Sequence, residues 1–131
     1  MRVLGPCRPK TQVELSRTEC LKLGITAVAK ESGHLDGTPG VKLIGPAGEM
    51  TLEAGALVAL RHIHLSDRQA TDRGLVKGQK VKVRIGGVRP VVFEDVIIRI
   101  HPTFDLRMHL DTDEGNACWA EMKGSLGEII D

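Results

Sequence analysis

Aromatic side chains are nearly absent: the 131 residues include one Trp, two Phe and no Tyr. Platforms for stacking nucleic-acid bases are therefore scarce, and an interior has to be built from Val, Ile, Leu and Ala. Cysteine is sparse as well. Cys7, Cys20 and Cys118 are odd in number and far apart, which argues against a disulfide framework and makes a reducing cytoplasm the expected compartment. Neither sign of charge dominates. The 18 basic and 17 acidic residues are interspersed, so no arm for nucleic acid and no patch for a membrane surface is expected. The chain shows no stretch with the length and apolarity of a membrane span or a secretory leader. It also lacks a Gly-x-x-x-x-Gly-Lys loop, a Gly-x-Ser-x-Gly elbow and a Cys-x-x-Cys pair, which argues against P-loop nucleotide hydrolysis, serine esterase chemistry and a zinc ribbon. The expected partner is a small molecule or another protein.

The sequence does contain a repeat. Shifted by about 50 positions, Thr11-Gln12-Val13-Glu14-Leu15-Ser16 aligns with Arg61-His62-Ile63-His64-Leu65-Ser66. In each copy the serine begins a capping box, Ser16-Arg17-Thr18-Glu19 and Ser66-Asp67-Arg68-Gln69, that opens a short helix. Each helix is expected to stop at a glycine, Gly24 or Gly74, where a left-handed turn costs no Cβ clash. Val81, Val83 and Ile85 alternate with Lys80, Lys82 and Arg84, the pattern of a half-buried strand, and Gly86-Gly87 ends it as a turn. Further strands are expected at Val41–Ile44, around Met50–Leu52, over Ala56–Leu65 and Val91–Ile100, and from Phe104 to Asp111. The segment Glu31 to Gly40, with three glycines and a proline, is a loop. Many short strands with one small helix per unit predict a mainly β chain of two small pseudo-symmetric β-barrels, one or both incomplete. The expected division is 1–59, carrying Glu14, and 60–131, carrying the histidines.

His62 and His64 are two apart on an expected strand, so they share a face and can reach one ion. Two satisfied histidines on a solvated face would produce the same pattern. His109, on the polar face of the Phe104–Asp111 strand, could complete a three-histidine site with positions open for water or substrate. The repeat places Glu14 where its copy has His64, which would bring a carboxylate to an equivalent position near a metal. Arg8, between Pro6 and Pro9, offers a preorganised guanidinium for phosphate, or is simply an exposed loop cation. His34 and His101 are expected to be ordinary surface residues.

Four separated segments resemble the phosphate propanoyltransferase family associated with propanediol utilisation: Val3 to Thr18, Glu31 to Gly40, Arg61 to Ser66, and Met108 to Glu114. The resemblance covers nearly the whole chain, to about Ala117. It implies two β-barrels with a dinuclear zinc site between them, where acyl-CoA and phosphate meet. It also implies an enzyme that moves a propanoyl or acetyl group between coenzyme A and inorganic phosphate. By motif, His62, His64 and His109 resemble the ligands of one zinc, Glu14 a ligand of the other, and Arg8 the residue that holds phosphate. Family members carry an earlier His-x-His-Leu-Ser segment that has no counterpart among these residues. The alternative expectation is therefore an inactive fragment holding a single zinc, or one half of a split enzyme. Unpaired barrel edges would then call for a homo-oligomer or a complementing N-terminal chain. The expected location is the cytoplasm or, as for some members, a bacterial microcompartment.

Overall fold

A computed structural model of the chain describes residues 2–5, 7–121 and 124–130. Pro6, one of the two prolines expected to stiffen the segment around Arg8, lies outside them. The chain is mainly β with a few short helices, as its glycine turns and alternating apolar positions predict, and it separates into two units, Met1–Ala59 and Leu60–Asp131.

The first unit contains β1 (Val13–Glu14), α1 (Arg17–Leu23), β2 (Ala29–Lys30), β3 (Val41–Gly45), β4 (Gly48–Leu52) and β5 (Ala56–Ala59). β5 pairs in parallel with β1 on one side and β2 on the other, while β3 and β4 form an antiparallel hairpin. α1 starts as its capping box predicts: the Ser16 hydroxyl accepts from the Glu19 amide, and the Glu19 carboxylate accepts from the Ser16 amide. It ends at Gly24, whose φ of 67° is cheap only without a Cβ.

The second unit contains β6 (His62–Leu65), α2 (Asp67–Thr71), β7 (Lys80–Ile85), β8 (Val91–Ile100), β9 (Arg107–His109), α3 (Thr112–Ala117) and β10 (Gly127–Ile130). These strands form a curled half-barrel in the order β10-β7-β8-β6-β9. β6 and β8 run parallel and the other pairs are antiparallel. Ile63, Leu65, Val81, Val83, Ile85, Phe93, Val96 and Ile98 form the buried core, closed by Ala70 and Cys118. Along β7 the alternation is complete, with every Lys and Arg exposed and every Val and Ile buried.

The alternation of β8 changes phase between Phe93 and Val96, both of which are buried. A β-bulge lies there, opposite the stretch between Val81 and Val83, and Asp95 takes a left-handed φ of 54° within it. The extra residue turns Val96 and Ile98 back onto the core side and adds local twist, which suits a curled sheet.

Three expectations need correction. The single strand expected over Ala56–Leu65 is interrupted at Leu60 and Arg61, so β5 and β6 fall in different units. The strand expected from Phe104 to Asp111 contracts to three residues, because the Phe104 amide closes a turn onto the His101 carbonyl and Asp111 is the N-cap of α3. α2 ends at Thr71 rather than at Gly74, which it reaches through turns. The Leu75 amide nevertheless bonds the Ala70 carbonyl at 3.0 Å, as the Ile25 amide bonds Cys20 at 2.9 Å after α1, so the repeat persists in the hydrogen bonding. α3 and β10 were not anticipated.

Candidate metal centre

On β6 the period-two rule sorts the side chains. Ile63 and Leu65 enter the core, which leaves His62 and His64 together on the opposite face. β9 pairs with β6 in antiparallel fashion, with His109 opposite His62 and Met108 opposite Ile63. Met108 packs against the core, and His109 is left on the histidine face. The three rings meet there, with centroids 4.8 Å apart for His62–His64, 4.8 Å for His62–His109 and 4.3 Å for His64–His109.

One nitrogen from each ring lies within 4.8 Å of the other two. Tetrahedral zinc with bonds of about 2.0–2.1 Å sets its donors roughly 3.4 Å apart, so the cluster is up to about 1.4 Å wider than an occupied site. The donor chemistry fits a transition metal: three imidazoles with no competing carboxylate in the cluster. His62 Nδ1 lies 2.7 Å from the Leu60 carbonyl, which can only accept. That nitrogen therefore carries a proton, which makes Nε2 the lone-pair nitrogen of the neutral ring.

His64 is the most constrained of the three. Its Nε2 is buried and has no hydrogen-bond partner among the described residues, a costly condition for a polar atom unless a ligand meets it. The Phe104 ring stacks on it at 3.8 Å and 10°. Arg99 on β8 and Arg107 on β9 flank it in register. Burial first, then the His109, His62 and Arg99 charges, lowers its pKa from 6.5 to about 4. At neutral pH it is an uncharged imidazole, the form a metal requires.

Glu14 and Arg8 belong to the first unit, where they frame one turn. Glu14 Oε1 accepts from Gln12 Nε2 at 2.7 Å, and the same amide group reaches Ser32 Oγ at 2.8 Å and accepts from the Gly33 amide at 2.9 Å. Arg8 Nη1 packs over Gly33, so closely that an added Cβ there would lie 3.2 Å from it; Gly33 also has a φ of 104°. Gln12 thus ties the Glu14 strand to the turn that Arg8 covers. His34 is exposed, and His101 Nδ1 lies 2.8 Å from Thr103 Oγ1. Reasoning from sequence singled out neither the Phe104 cover nor the role of Gln12 as a bridge.

A mainly β protein whose curled sheet gathers three imidazoles able to hold a metal ion is the class that fold and site define. The family model described as phosphate propanoyltransferase matches residues 1–121. The chain belongs to that family. It is similar to proteins named phosphate propanoyltransferase from Sebaldella termitidis (45% identical, over 97% of this chain and 60% of the relative), Listeria monocytogenes (45%, over 98% and 60%) and Levilactobacillus brevis (48%, over 99% and 62%). The chain thus spans about 60% of the length of these relatives.

Proposed function

We propose that these residues carry zinc-binding and phosphate-binding parts of a phosphate acyltransferase that moves a short acyl group, propanoyl or acetyl, between coenzyme A and inorganic phosphate. The supporting observation is the meeting of His62, His64 and His109 in a chain of the phosphate propanoyltransferase family. In this reading a phosphate oxygen bonds to the thioester carbonyl carbon, the carbon–sulfur bond breaks, and acyl phosphate and the CoA thiolate result.

His62, His64 and His109 would hold one zinc, a three-histidine set that leaves a coordination position for substrate. When bound, the ion supplies Lewis acidity toward the thioester carbonyl and the departing sulfur. Leu60 fixes the His62 tautomer, and Phe104 keeps water from one face of His64. Glu14, oriented by the Gln12 amide, would be a ligand of a second zinc. Arg8 would hold phosphate through the two parallel donors of its guanidinium and align it for attack. No acyl-enzyme nucleophile is required. Propanediol degradation, in the cytoplasm or in a bacterial microcompartment, is the setting proposed for this activity.

The test combines elemental analysis of the purified chain with acyl phosphate formation from propanoyl-CoA and phosphate, with the N-terminal portion of a relative supplied. Zinc should be present, and the His62→Ala/His64→Ala double variant should lose the ion of the histidine face together with at least about a hundredfold in rate. Full activity in that variant would falsify the assignment.

A further inference from the structure

Arg61 immediately precedes His62 and ties three segments together. Its Nη1 pairs with Glu114 Oε1 at 2.8 Å, with both side chains mostly shielded from solvent. Its Nε donates to the Glu94 carbonyl in the β8 bulge at 2.7 Å, and its guanidinium lies 5.7 Å from the centre of the Phe93 ring. The other carboxylate oxygen of Glu114 accepts from the Asp111 amide at 3.1 Å, and Asp111 Oδ1 accepts from the Glu114 amide at 2.8 Å. The entry to β6, the bulge of β8 and the chain leaving β9 are therefore joined at one ion pair.

β9 needs such a restraint. It is an edge strand with only three register pairs to β6, and His109 is its last residue. So short an edge frays readily. Continued by one rung, the register brings Arg61 opposite Leu110, so the pair closes the ladder beside the His62–His109 rung. A partly shielded pair with a forked donor holds such a geometry better than an exposed one.

We propose that the Arg61–Glu114 ion pair is a clamp that holds β9 on β6 and so keeps His109 at ligand distance from His62 and His64. Both are positioning residues. The effect on metal affinity rests on the zinc reading above, whereas the clamp itself is testable without metal.

The test uses the full chain and an Arg61→Met/Glu114→Gln double variant. Gln at that position preserves the capping box, Met preserves the apolar stem, and no buried charge is left uncompensated. In the metal-free chain, amide exchange at residues 107–109 should rise about tenfold or more while β7 and β8 are unchanged. Titration with Co2+ should show about tenfold weaker binding and an altered ligand-field spectrum. Unchanged exchange at 107–109, or a rise spread over the whole sheet, overturns the clamp whether or not metal binds. Raised local exchange with wild-type Co2+ affinity and spectrum overturns the link from clamp to ligand geometry. Wild-type chain that binds no Co2+ overturns the zinc reading and that same link, while the exchange data still decide the clamp. If the double variant does not fold, Glu114→Gln alone is judged on the same terms.

Discussion

His64 has the most distinctive chemistry of any single residue here, because burial and the electrostatic influence of His109, His62 and Arg99 disfavour its charged form. In the metal-free chain its folded pKa is about 4 against 6.5 when solvated. Between those values the unfolded chain binds the proton and the folded chain does not, so acid draws the equilibrium toward unfolding. Stability should therefore fall as pH drops from about 6.5 to about 4, with His64 contributing no slope above or below that window. Urea midpoints of chelated protein across this range, compared with a His64→Gln variant, test it; the variant should lose part of the slope. The spacing of His62 and His64 was legible because strand periodicity is local. Phe104 and Arg61 were not, because their roles come from partners distant in sequence, His64 at one and Glu114 at the other.

At the level of elements, the two serine capping boxes could be read because each is complete within four residues. Asp111-Thr112-Asp113-Glu114 bears the same signature and caps α3, but reading Asp111 as the end of a strand hid it. The β8 bulge leaves no such mark, since Asp95 in a left-handed conformation is a demand of curvature rather than of composition. Ser66 follows β6 directly, and its hydroxyl accepts from the Gln69 amide at 3.3 Å. Ser66→Ala should cost about 1 kcal/mol. For a unit of this size that lowers Tm by roughly 4–8 °C, which scanning calorimetry can check.

For the molecule as a whole, the mainly β class was legible because alternation and glycine turns both pointed to short strands. If zinc binds the histidine face, folded protein gains stability by mass action, by about 2.7 kcal/mol when free zinc is a hundred times its dissociation constant. A strong chelator should then lower the melting temperature of the wild-type chain by more than that of the His62→Ala/His64→Ala variant. An equal melting temperature with and without chelator, at confirmed metal release, counts against the metal reading.

The shortness of β9 has a consequence for how the chain reaches its final pairing. Sliding that strand by a single position would turn the imidazole of His109 into the oily interior and present the Met108 thioether in its stead. Only the correct alignment assembles three nitrogens, so an ion that selects imidazole rewards that alignment alone. Bound metal would thus proofread the edge of the sheet.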